Sequence, residues 1–198
     1  MNVYISLGVA ADLSKYPKSG IYKPSAPLKT GPQTYEYLNV SNYAKDRSYS
    51  PEGYSSLTIS LPGDTYEYWK ALKDNGLYDE EKQKLSSKII TALSEFMPEI
   101  KGNVEVCDVA TPITYERFCG NWKGSWMTEI NQDNFDMAPY PNFIEGMESL
   151  YFAGQRMMPP GGLPIALITG RAAVEKLCED TGFEFVTEGF GRTFEINI

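Results

Sequence analysis

A chain of 198 residues with 42% apolar and 13% aromatic side chains can fill one good-sized core or two small ones, which speaks against wholesale disorder. Its net charge of −8, from 18 basic and 26 acidic residues, argues against nucleic acid as a partner, because phosphate-binding proteins cluster Lys and Arg. Histidine is absent, so Ser-His and Cys-His nucleophile pairs and the commonest zinc sites cannot be built, and no metal site is expected.

The apolar runs at Ser149–Gly154 and Leu163–Ile168 are far shorter than the ~20 residues of a membrane-spanning helix. The first residues, Met-Asn-Val-Tyr-Ile-Ser-Leu-Gly, lack the basic flank and cleavage pattern of a secretory signal. Cys107, Cys119 and Cys178 are odd in number and widely spaced, which fits packed thiols in a reducing cytoplasm.

In chain order, Val3–Leu7, Gln33–Val40 and Ser56–Leu61 alternate as strands between Pro- and Gly-bearing turns, and predict an antiparallel sheet with one face on a core. Asp64 followed by Glu67 reads as a capping box for a helix over about Thr65–Asp74. Leu85, Ile89, Leu93 and Phe96 recur at helical spacing between Asp79 and Met97, and Pro98 closes that pattern. A strand over Asn103–Ala110 leads to Thr111 as a helix cap with Pro112 at the first helical position. Residues 120–143 read as a long irregular connection. Ser149–Ala153 then reads as a short buried strand, Gly154–Gly162 as a loop and Pro164 to about Glu179 as a helix, with terminal strands within Phe183–Ile198.

The chemistry concentrates at Pro159-Pro160-Gly161-Gly162-Leu163-Pro164. Pro164 suits a first helical turn, while Gly161 and Gly162 let a planar or anionic ligand approach the backbone beside unpaired helix N–H groups. Ala166, Gly170 and Ala173 form a small-residue stripe that calls for a close-packed neighbour. Spacing alone leaves two readings open: a cofactor site, or a tight helix-to-sheet contact without a ligand. Trp122, Trp126 and the fourteen tyrosines can line an apolar tunnel or fill an ordinary core, and none is assigned a catalytic role. Arg117 and Arg156 can pair with cofactor phosphates or sit in surface ion pairs.

Several blocks, in order, resemble the C-terminal part of the phytoene desaturase and carotenoid isomerase family. They are Thr111-Pro112-Ile113-Thr114 with Arg117, Gly120-Asn121, Lys123-Gly124-Ser125-Trp126, Leu150-Tyr151-Phe152-Ala153-Gly154 and Pro160-Gly161-Gly162-Leu163-Pro164. Upstream, Ser50-Pro51-Glu52-Gly53 resembles that family's substrate-domain segment, so the likeness covers about residues 50 to 179, and residues 1–49 match loosely. The resemblance implies an amine-oxidase-like fold. In it both chain ends build a dinucleotide-binding domain for FAD, and a sheet-and-helix domain covers a lipophilic, polyene or isoprenoid-like substrate.

On that basis the chain is expected to be α+β: an antiparallel sheet with packed helices over residues 1–110, then a segment over 111–198 returning to a Rossmann-like FAD domain. The resemblance puts Ala153, Gly154 and Gln155 at the cofactor's phosphate and ribityl region, and Gly161, Gly162, Leu163, Pro164 and Ala166 beside the flavin ring. The expected reaction is desaturation, saturation or redox-neutral isomerisation.

The Gly-x-Gly-x-x-Gly turn of a dinucleotide fold is missing; the one Gly-x-Gly, Gly189-Phe190-Gly191, lies seven residues from the end. The N-terminal FAD-binding half is therefore expected from the same gene or a partner chain, and this chain alone is expected to be inactive and to self-associate through its uncovered cofactor-facing surface. Cytoplasmic location, with peripheral contact to a membrane, is compatible with such a substrate. The contrasting reading is a non-catalytic module that binds an apolar ligand or a protein without flavin.

Overall fold

Val3, Ile5, Leu7 and Val9 alternate with Asn2, Tyr4, Ser6 and Gly8, and this period of two puts four aliphatic side chains on one face of a strand. In the computed structural model, which describes residues 1–125 and 140–187, that segment is β1 (Asn2–Val9), and all four are buried. The chain forms two compact units, Met1–Trp126 and Met127–Ile198.

In the first unit β1 is joined by β2 (Ser19–Tyr22), β5 (Leu38–Asn42), β6 (Ser55–Pro62) and β7 (Val104–Ala110). Their spatial order is β2-β5-β6-β1-β7, and every pairing is antiparallel. A separate hairpin of β3 (Leu28–Thr30) and β4 (Gln33–Tyr35) turns through Gly31-Pro32, where proline's fixed φ suits the second position of a II′ turn. The single strand expected over 33–40 is thus two strands in two sheets, divided at Glu36 and Tyr37. Alternation ran through the break because neither residue there is a turn former.

Helices α1 (Tyr66–Asp74) and α2 (Tyr78–Ser94) belong to this unit. Leu85, Ile89 and Leu93 of α2, with Trp69 of α1, join the strand aliphatics in one core. Trp69 is fully buried and meets Tyr68 and Tyr78 edge-on. Burying a side chain of that class is worth ~1.5–3 kcal/mol. Phe96 lies beyond the end of α2 and packs against Tyr22 at 5.1 Å between centroids, and Pro98 opens a short 3-10 turn.

The capping box expected from Asp64 and Glu67 does not form. Thr65 is the N-cap, which leaves Glu67 in the second helical position, one short of the reach-back site, and its carboxylate binds Lys123 Nζ at 2.6 Å instead. The cap expected at Thr111 does form. The Thr111 N–H donates to Thr114 Oγ1 at 3.0 Å at the start of α3 (Pro112–Cys119), and the Tyr78 hydroxyl lies 2.7 Å from Thr111 Oγ1.

The first unit runs past the expected boundary at residue 110. The segment beyond it belongs to the same core: Ile113 is buried there and Glu116 accepts a hydrogen bond from Tyr66 at 2.9 Å. Part of the connection expected to be irregular is ordered as a 3-10 turn at Trp122–Gly124. Residues 126–139, which include Trp126, and 188–198, which hold most of the expected terminal strands, lie outside the described residues; 183–187 form no strand.

In the second unit the main element is α4 (Leu163–Thr181), within two residues of the expected bounds at each end. Gly182 closes it in the left-handed conformation. The expected buried strand at 149–153 is reduced to one bridge between Tyr151 and Phe143, and Leu150 and Phe152 are exposed. A strand buried on both faces needs neighbours along both edges, and the described residues of this unit supply one bridging residue. Among the described residues no helix is long and apolar enough to cross a membrane.

Candidate functional site

Gly162 is the N-cap of α4, and it brings no side-chain hydrogen bond to the helix start. Its φ is +92°, and Gly161 before it has φ +90°, a region that residues with a Cβ avoid. A Cβ built on Gly162 would meet one neighbour within 4 Å, the Cδ of Pro164 at 3.9 Å, so the space over this turn is open. Pro164 has no N–H to satisfy, and the Ala166 N–H closes the first turn on the Gly162 carbonyl at 3.1 Å. Near the start of this 19-residue helix, the backbone therefore offers partial positive charge to a solvent-facing opening.

Gly154, between Ala153 and Gln155, is tied to this helix by Thr169, a residue that sequence reasoning did not single out. Thr169 Oγ1 accepts a hydrogen bond from the Gly154 N–H at 3.0 Å and donates to the Ile165 carbonyl at 2.7 Å. Its position was detectable: Ile165, Thr169 and Ala173 are spaced by four and are the buried stripe of α4, so a hydroxyl among them calls for a polar partner. Gly154 itself has φ +136° and open space where a Cβ would sit. The segments expected at opposite ends of a cofactor are thus joined by one hydroxyl. Ala153, Leu163 and Pro164 are exposed, Gly154, Gln155, Gly162 and Ala166 half-buried, and Gly161 buried.

Among the described residues no close neighbour of the Ala166–Gly170–Ala173 stripe is found at Gly170, since nothing lies within 4 Å of a Cβ built there. Leu163 and Leu167 are 76% and 69% exposed, and Ile168, Val174 and Leu177 are also open. One flank of α4 is therefore apolar and uncovered. A concave patch of about 530 Å³ lies at the far end of the helix, lined by Phe143, Leu150, Tyr151, Lys176 and Asp180. Tyr151 donates to Asp180 at 2.9 Å and Lys176 approaches the same carboxylate at 2.6 Å. The Lys176 and Tyr151 hydrogen bonds hold the Asp180 carboxyl below its usual range. These charges satisfy one another, and the patch includes no residue of the glycine turn.

Of the other residues weighed from sequence, Arg117 and Trp122 belong to the first unit and Arg156 to the second. In the first unit, Arg117 stacks over Phe118, and Trp122 is exposed with Lys123 above its ring at 5.2 Å. Cys107, Cys119 and Cys178 are free thiols.

No family model matches the chain. It is similar to prolycopene isomerase 2, chloroplastic, of an Oncidium hybrid cultivar, 26% identical over 140 residues, which is 70% of this chain and 24% of that protein. It is also similar to the 1-hydroxycarotenoid 3,4-desaturase of Flavobacterium sp. (strain P99-3), 24% identical over 142 residues, 70% of this chain and 27% of the relative. The 4,4'-diapophytoene desaturase (4,4'-diaponeurosporene-forming) of Staphylococcus aureus (strain MRSA252) is 25% identical over 158 residues, 77% of this chain and 30% of the relative. The chain is a distant homologue of carotenoid isomerases and desaturases, and spans between 24% and 30% of the length of these curated relatives.

Proposed function

We propose that this chain is the C-terminal part of an FAD-dependent oxidoreductase that desaturates, saturates or isomerises a lipophilic polyene or isoprenoid-like substrate. The observation that carries the reading is the left-handed Gly161-Gly162 turn, open at Gly162, at the uncapped start of α4, which is tied through Thr169 to the Gly154 backbone. The distant relatives, whose names describe carotenoid isomerisation and desaturation, support this reaction class.

The residues present fit one side of such a cofactor: space where a Cβ would stand at Gly154 and Gly162, and helix N–H groups without a side-chain cap. Gly161, Gly162, Leu163, Pro164 and Ala166 would lie beside the flavin ring, with Ala153, Gly154 and Gln155 toward the phosphates. Bound there, the flavin would supply the hydride or electron chemistry, and the chain would supply orientation and electrostatics. The partial positive charge at the start of α4 favours an anionic group at the opening by ~0.3–1 kcal/mol when exposed and up to ~2 when partly buried. The exposed leucines of α4 and the open flank of Gly170 are the surface on which an N-terminal FAD-binding half would close.

The test is the visible spectrum of the purified product of the complete reading frame containing this sequence, beside its Gly162→Trp variant. A flavin band that the variant loses is the expected result. A product that contains a dinucleotide-binding half but no flavin would overturn the reading in favour of a non-catalytic apolar-ligand module.

A further inference from the structure

Helix α1 ends on Asn75-Gly76-Leu77, and the chain that follows closes its last carbonyls. The Leu77 N–H donates to the Leu72 carbonyl at 2.8 Å and the Gly76 N–H to the Lys73 carbonyl at 3.2 Å, the paired bonds of a Schellman motif. Gly76 has φ +71°, the left-handed position that the motif needs, and Asn75 Nδ2 donates to the Ala71 carbonyl at 2.8 Å. Asn75, Gly76 and Leu77 are exposed, and nothing lies within 4 Å of a Cβ built on Gly76.

An asparagine followed by glycine carries its own nucleophile. The backbone nitrogen of the next residue can attack the side-chain Cγ, and glycine, lacking a Cβ, obstructs that approach least. At this site hydroxide removes the proton from the Gly76 nitrogen, a bond forms from that nitrogen to Asn75 Cγ, the Cγ–Nδ2 bond breaks, and Nδ2 leaves as ammonia. Water then opens the five-membered imide. Opening at Cγ gives aspartate, and opening at the main-chain carbonyl carbon gives isoaspartate, whose backbone runs through Cβ and Cγ. No group is oxidised or reduced, and water is the sole co-reactant. Every other asparagine of the chain precedes valine, isoleucine, glutamine or an aromatic residue, so this chemistry has one favoured place in the sequence.

The fold restrains both reacting groups. In the closed motif the Gly76 N–H is engaged by Lys73 and the Asn75 amide by Ala71, and neither is free to turn toward the other. We infer that Asn75-Gly76 is the deamidation site of this chain and that the Schellman motif is its gate: conversion proceeds through the opened turn and then keeps it open. Isoaspartate lengthens the backbone by one atom inside both hydrogen-bonded rings. Aspartate loses the donor to Ala71 and puts a second negative charge beside Asp74 at the helix end where the macrodipole disfavours it. Either product loosens the joint between α1, which carries the buried Trp69, and α2, which carries the buried Leu85.

The experiment incubates the full chain at mildly alkaline pH and follows each asparagine by peptide mass spectrometry, beside a free peptide of residues 71–81. Asn75 is expected to convert ahead of every other asparagine, yet about tenfold more slowly than in the free peptide, the cost of opening two backbone hydrogen bonds. Leu77→Pro removes one of those two donors and leaves the Asn-Gly pair intact, and is expected to speed conversion about fivefold. Hydrogen exchange in the unsubstituted chain gives a reading that does not depend on the variant: the Gly76 and Leu77 amides are expected to exchange faster in the converted fraction than in the unconverted one. Earlier conversion at another asparagine, a rate equal to that of the free peptide, an unchanged rate in Leu77→Pro, or unchanged exchange after conversion would each overturn the inference.

Discussion

At the scale of single residues, Gly124 is held by a close approach. Its φ is +61°, and a Cβ built on it would lie well inside van der Waals contact with the Pro112 carbonyl oxygen, at the start of α3. Gly124→Ala is therefore expected to destabilise the first unit by ~2–4 kcal/mol, through a backbone clash that no rotamer relieves, checked by denaturant midpoint. Glu99 makes a different kind of prediction. It pairs with Lys15 and accepts from the Tyr16 hydroxyl at 2.8 Å, and the Lys15 hydrogen bond is the main cause that draws its carboxyl down to about 2. A carboxyl lowered on folding stabilises the protein above its unfolded value of ~4.3, and that contribution is lost as pH falls through the folded value. Glu99→Gln should lower stability across the neutral range and flatten the acid limb of the stability curve between about pH 4.5 and 2, so that the two proteins converge at low pH, which paired urea titrations would read.

At the scale of elements, Thr169 is the joint between α4 and the segment before it. Thr169→Val preserves shape but strips the Gly154 N–H of its acceptor, so the second unit is expected to lose ~1–3 kcal/mol and the Gly154 amide to exchange faster with deuterium. Thr169→Ser should restore most of both. The helices were the legible part of the sequence, because their signals are local: the period of Leu85, Ile89 and Leu93, the Thr111-Pro112 cap and the Gly162-to-Pro164 start all act within a turn or two. Strand limits were less legible. Nothing in Glu36-Tyr37 marks the passage from the hairpin to the main sheet, and Ser149–Ala153 has the composition of a central strand but, among the described residues, pairs through one bridge. The candidate turn was read correctly as a glycine start to a helix, whereas the strand order was invisible, since it exists only once β2, β5, β6, β1 and β7 pair.

For the whole molecule, the uncovered flank of α4, with Leu163, Leu167, Ile168, Val174 and Leu177 open, exceeds the scattered exposed leucines of ordinary surfaces. The isolated chain is expected to self-associate, giving a weight-average mass that rises with concentration in sedimentation; a constant monomer mass would contradict it. Association should weaken in Leu163→Ser/Leu167→Ser, which removes the two most exposed of these side chains without touching the buried stripe. The second unit thus carries a surface suited to a molecule beyond the chain, the apolar flank of α4.

The place of β1 in the sheet has a consequence for synthesis. Its neighbours are β6, roughly 50 residues later, and β7, roughly 100 residues later, so both hydrogen-bonding edges of the strand wait on distant sequence. At translation rates of about 5–20 residues per second, Val3, Ile5, Leu7 and Val9 leave the ribosome several seconds before β7 exists to close the second edge. During that interval a strand that ends up inside the sheet, paired on both sides, is an aliphatic ribbon with at least one open edge, and a nascent-chain chaperone that recognises extended apolar segments would meet it first.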